Sequence, residues 1–347
     1  MSDVETTEDD NFSLADVFIG DGRPLISFCG LCLILAGIFA VFQSITGQFL
    51  PHDVAYLQMQ PDELCGINEG RIVHFMIHDR VSFGGSIAAI GILYLWMSAF
   101  PLRRKSSWAW WALAASGVSG FGSFLTYLGY GYLDTWHGTA TLMLLPCFVT
   151  GMWLQRGIRF GSGRGDGSWN GLPSQASLTD RLRPVRPILL RTRDGAGRAM
   201  ILAAACGMIG GGVTIQCIGM TNVFVATDLE YMGLDRAQLN AVNPRLIPLI
   251  AHDRAGFGGA VVTAGMLTFA AVWYFEQKKS LRQALMLCGA FGWGTAILIH
   301  PAIGYTDPIH LAPAVIGATL FFGGILLTGS RSLDAANDNI CRQSESG

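Results

Sequence analysis

Apolar residues gather into eight blocks along the chain, at 25–46, 81–100, 108–129, 138–155, 199–220, 255–275, 283–303 and 309–328. Each block is about as long as the roughly 18–20 apolar residues a helix needs to cross a bilayer's hydrocarbon core. No period-two alternation competes with them, so the pattern predicts an all-α polytopic membrane protein with eight spans. Polar stretches divide the chain into a tail at 1–24, a four-span unit at 25–156, an Arg/Gly-rich linker at 157–198, a second four-span unit at 199–330 and a tail at 331–347. The first tail is acidic and lacks a basic leader, which predicts a disordered segment rather than a cleaved signal peptide.

The two units repeat one another. Arg71, His78-Asp79-Arg80 and Phe83-Gly84-Gly85 recur as Arg245, His252-Asp253-Arg254 and Phe257-Gly258-Gly259. Gly131-Tyr132, Asp134 and His137 recur as Gly304-Tyr305, Asp307 and His310. Before both, Asp53 and Tyr56 answer to Asp228 and Tyr231. His78 and His137 lie 59 residues apart, His252 and His310 lie 58 apart, and the copies are offset by 174. Three motifs in one order at near-constant spacing describe a tandem duplication. With an even number of spans per unit, the copies share one orientation as parallel four-helix bundles.

Composition agrees: 51% of residues are hydrophobic and 14% charged, well below the charged share of about 25% in soluble domains. The net charge of −2 and the lack of a basic-aromatic stripe give no reason to expect nucleic acid. Where the charges fall matters more. Arg103, Arg104, Lys105, Lys278, Lys279, Arg282 and the linker arginines from Arg156 to Arg198 flank even-numbered connections, while Asp53, Asp62, Glu63, Asp228, Glu230 and Asp235 lie in the first and fifth. Basic loops stay cytoplasmic, which predicts cytoplasmic termini in a bacterial inner (plasma) membrane and an extracytoplasmic position for both motif sets. The linker arginines are expected to meet anionic lipid headgroups. In each first connector a short amphipathic helix is expected, at Pro61 and at Asp235, with His-Asp-Arg at the outer end of the span that follows. Tyr56 and Tyr231 read as interfacial anchors. Cys29 and Cys32 match CxxC but read as small apolar residues of the first span, and no cysteine spacing predicts a disulfide framework.

Ionisable groups at membrane depth are costly unless paired. Within each half the expected site gathers His78, Asp79, Arg80, Tyr132, Asp134 and His137, or His252, Asp253, Arg254, Tyr305, Asp307 and His310. One reading is haem b: His78 with His137, and His252 with His310, as axial pairs, the Phe-Gly-Gly segments as ring walls, and Arg71, Arg80, Arg245 and Arg254 on the propionates. Tyr132, Tyr305 and the carboxylates would orient the imidazoles. A second reading is a non-haem divalent metal such as Zn or Fe, with the same histidines as ligands and Asp79, Asp134, Asp253 and Asp307 in catalysis. A third is non-catalytic, a transporter or a subunit of a membrane complex in which these charges latch loops to the bundle, and the Phe-Gly-Gly glycines serve helix packing. His52, His74 and His300 have no histidine counterpart; His74 lies one turn from His78 and is a possible added ligand that would make the first half richer.

Eight spans in two halves, with one histidine near the outer ends of spans two and four of each, resemble haem A synthase. That resemblance implies haem at His78, His137, His252 and His310, and a lipophilic substrate such as a quinone or porphyrin. The chain departs from that family's pattern at Phe75 and Leu249, where an acidic residue precedes the histidine, and in carrying Cys65 alone in the first connector.

Overall fold

The computed structural model describes residues 17–125, 132, 135–160, 182–275 and 279–328, and the described residues are helical with no strand. The long helices are α1 (Arg23–Ile45), α4 (Arg71–Ala99), α5 (Ser107–Phe124), α6 (Thr135–Leu154), α7 (Arg193–Met220), α10 (Leu246–Tyr274), α11 (Lys279–Ile303) and α12 (Pro308–Leu327). Short helices fill the connectors: α2 (Pro51–Leu57) and α3 (Pro61–Cys65) in the first half, α8 (Ala226–Met232) and α9 (Arg236–Val242) in the second. Each connector therefore holds two short helices where one was expected. Seven of the long helices are long and apolar enough to cross a membrane, which makes this a helical membrane protein. The remaining expected block, 108–129, is described as α5, and 126–129 lie outside the described residues.

Helices α4 and α10 form the centre, with 72% and 78% of their most apolar windows buried, against 22–28% for the other five apolar helices. They carry the repeated motifs, and the Phe-Gly-Gly glycines explain how they pack. A side chain at Gly84 would meet the Gly37 carbonyl of α1, and one at Gly85 would collide with Thr295 of α11. On α10, Gly258 lies against Gly212 and Gln216 of α7, and Gly259 against Ser123 of α5. Each glycine pair thus admits two helices, one from its own half and one from the other. The halves interlock, the third long helix of each packing on the central helix of its counterpart. These glycines serve as packing seams between helices.

Helix α4 starts ten residues earlier than its apolar block, after Gly70. The added turns are buried because the connectors cover them. Ile72, Phe75 and Met76 join Leu57, Leu239 and Leu249 in a second apolar core, distinct from the core of the bundle. The His-Asp-Arg triplet consequently sits two turns inside the helix, under a lid built by both halves. Crossed hydrogen bonds hold that lid: Arg71 donates to the Tyr231 carbonyl, Asn243 to the Leu57 carbonyl, and Arg245 to the Tyr56 carbonyl. Arg71 and Arg245 are thereby occupied as loop ties. Tyr56 and Tyr231 lie against Tyr132 and Tyr305, with ring centroids 4.3 and 4.5 Å apart. At the opposite end Arg198, expected among headgroups, is buried and donates to the carbonyls of Arg186 and Val272.

Candidate functional site

The site begins with the connector helices. Asp53 and Asp228 each occupy the third position of a short helix, α2 and α8, and reach back to its N-cap backbone N–H, that of Leu50 or of Val225. This turns each carboxylate inward, where it is buried. One oxygen of Asp53 accepts from Tyr132 at 2.8 Å and the other from Arg80 Nη1 at 2.7 Å. Asp228 accepts from Tyr305 at 2.9 Å and from Arg254 Nη1 at 2.5 Å. Burial works to raise the Asp53 pKa, but the adjacent Arg80 charge and hydrogen bond outweigh it and hold the carboxyl below its usual range. Burial, and then the Asp228 charge, push the Tyr305 phenol above its usual value.

Each arginine then crosses to the other half. Arg80 Nε donates to Asp253 at 2.7 Å, and Arg254 Nε to Asp79 at 3.2 Å. Those aspartates in turn accept from the histidines beside them, His252 Nδ1 at 3.0 Å and His78 Nδ1 at 2.9 Å. Two chains of matching contacts result, each composed of both sequence halves, and they lie at one end of the bundle. The convergence of both motif sets on one end is as expected.

The histidine pairing is not the expected one. The His78 ring lies 5.5 Å from that of His310, and the His137 ring 5.6 Å from that of His252. Among the described residues, the ring contacts join His78 to the second half's fourth helix and His252 to the first half's. The expected pairs within each half, His78 with His137 and His252 with His310, are not the ones in contact. The cause is the interlock: the central helices exchange neighbours, so each presents its histidine to the other half.

His300, at the end of α11, joins the first of these sets. Its Nε2 lies 3.1 Å from His78 Nε2, and ligand atoms of His78, His300 and His310 all lie within 4.8 Å of one another. His74 is not in this group; its third member, His300, comes from the second half. Sequence reasoning passed over His300 because it has no counterpart in the repeat. Its position at the end of a span, where the other site histidines also lie, was the available signal.

Protons in this cluster follow from its partners. His300 Nδ1 faces the Ala296 carbonyl at 2.7 Å, which only accepts, so that nitrogen carries the proton. His78 Nδ1 likewise donates to Asp79, which also accepts from Arg254. The Tyr305 hydroxyl donates toward Asp228 at 2.9 Å and Thr227 at 3.1 Å, and its oxygen lies 3.0 Å from His310 Nδ1. His78 and His300 therefore turn Nε2 toward each other at 3.1 Å, a distance bridged either by one shared proton or by a cation bound to both. Outer partners on Nδ1 that leave Nε2 open are also the usual support of a metal-binding histidine.

Asp79 and Asp253 are the histidine partners just described. Asp307 caps α12, accepting the His310 backbone N–H at 2.7 Å, and so places that histidine. Asp134 and Gly131 lie outside the described residues. Gly304 takes φ +76°, a left-handed turn that returns the chain from α11 into α12 and brings the Tyr305 N–H to the His300 carbonyl at 3.0 Å. Cys29 is buried and Cys32 half-buried in α1, and neither is in a disulfide. A cavity of about 550 Å³ opens beside the three histidines, and one of about 210 Å³ lies beside Asp53, His137 and Asp253. No family model, curated protein or solved structure matches the chain.

Proposed function

We propose that the chain is an eight-span membrane protein, a parallel duplication with interlocked halves, that holds one non-haem divalent transition metal on His78, His300 and His310. The observation that carries this reading is the trio of imidazoles whose ligand nitrogens lie within 4.8 Å of one another. Two nitrogens about 2.0–2.1 Å from one ion stand roughly 3.3 Å apart in tetrahedral geometry and about 4.1 Å apart on opposite sides of it. The 3.1 Å between His78 and His300 supports neighbouring ligands, which favours zinc or non-haem iron over haem b. Three protein ligands leave a position open for water or substrate, the arrangement of catalytic metal sites. The basic even-numbered connections favour the extracytoplasmic side for this centre, and its adjoining cavity suits a lipophilic substrate.

The set around His137 and His252 supports a second role. With Arg80 bound to both Asp53 and Asp253, it acts as a latch that ties the first connector to the second half. As purified, the protein is expected to show no Soret band. Its metal-free form is expected to take up one cobalt(II) with visible d–d absorption. A Soret band, or cobalt bound equally well by His300→Ala, would overturn the assignment.

A further inference from the structure

The larger cavity has more to say about its occupant. It follows α4 from His78 to Leu93 and α10 from Arg254 to Thr268, about 20 Å of helix rise in each case. Its charged and imidazole groups gather at one end, at His78, Asp79, Arg254, His300 and His310. Beyond them the walls are largely apolar and small, including Ala204, Gly211, Gly292 and Gly317. A space of about 550 Å³ drawn out over that length is narrow, the shape of a single chain with a polar head.

Two observations describe the head. Ser82 lies one turn from His78 on the same face, lines the cavity and is 1% exposed, yet its hydroxyl has no hydrogen-bond partner. Its neighbour Ser86 instead donates to the Ser82 carbonyl. A buried hydroxyl without a partner costs stability unless something in the cavity accepts its proton. Charge gives the second. Within the chain of contacts that borders the cavity, Asp79 and Asp228 outweigh Arg254 by one negative charge, so a divalent ion bound there would bring that chain to +1. An anionic oxygen head would neutralise it.

We propose that this cavity binds a long-chain fatty acid, its carboxylate on the metal's open position and within reach of Ser82, and its chain running between α7, α10, α11 and α12. The head's anchoring rests on the metal reading above; the chain's place rests on the cavity alone. The test uses radiolabelled palmitate with the full-length, metal-loaded protein in detergent. Gly207 and Gly211 line the cavity and have open space where a side chain would begin, so Gly211→Phe, or Gly207→Phe as a second plug, sets a ring into the channel with no clash at Cβ. Gly294 has the same open space but does not line the cavity, so Gly294→Phe is the control.

Wild type and Gly294→Phe are expected to retain one palmitate. Both plugs should weaken binding at least tenfold while keeping the metal, and Ser82→Ala should weaken it about tenfold. Palmitate binding unchanged by either plug, retained phospholipid in place of palmitate, or no palmitate bound by metal-loaded wild type would overturn the assignment. If no preparation holds metal but a plug still expels palmitate, the cavity assignment stands and the metal reading fails.

Discussion

Around His78 an aspartate, an arginine from the other half, a second aspartate, a tyrosine and a distant histidine follow in the same order as around His252. The first set adds His300, carries outer partners on all three imidazoles and opens on a cavity of about 550 Å³. Beside the second set, His52 approaches Asp53 at 3.6 Å, and the cavity is about 210 Å³. The difference shows what duplication leaves free to change. Arginine–carboxylate chains hold the two halves together and have to persist in both, because a buried charge without its partner is expensive. The histidines beyond them differ between the sets, and the first is the one proposed to hold an ion.

Removing His300 is the largest perturbation that separates the sets. His300→Ala should lower metal affinity by more than the roughly 10–100-fold that losing an outer partner costs, whereas His137→Ala should leave it unchanged. Equilibrium dialysis against zinc checks both. Next come the crossed arginines. Arg254→Met and Arg80→Met each strand two buried carboxylates and should cost about 3–5 kcal/mol in denaturant unfolding. Only Arg254→Met should also weaken metal binding, because only Arg254 contacts Asp79 beside His78.

Smaller still is the tyrosine pair. Tyr305→Phe removes the hydroxyl that contacts His310 Nδ1 and should lower zinc affinity about 10–100-fold. Tyr132→Phe should cost only about 1–3 kcal/mol of stability, from the Asp53 hydrogen bond it loses. The smallest effect is one of pH. Asp53 has a folded pKa below its unfolded one. Its contribution is therefore complete above the unfolded value, about 3.9, and fades as pH falls through the folded value. Unfolding midpoints of wild type and Asp53→Asn should differ at pH 6 and converge toward pH 3.

Much of this was legible in the chain. Apolar blocks located the long helices, and the repeated motifs located the end of the bundle where the polar groups meet. The equal intervals from His78 to His137 and from His252 to His310 could not reveal the pairing. In a duplicated chain the same spacing serves partners within a half and partners exchanged between halves, and only packing distinguishes them. Gly84, Gly85, Gly258 and Gly259 held that information, since two adjacent glycines on a central helix admit two neighbours, but which helices those are is set by the assembled bundle. His300 stayed hidden because the repeat was the guide, and the residue that makes one set different has no echo.

Metal content by elemental analysis of three purified proteins tests the central claim most directly. One zinc or iron per chain in wild type and in His137→Ala, and none in His300→Ala, is the predicted result. A wild-type protein that takes up no metal, or equal loss in His137→Ala and His300→Ala, would contradict it.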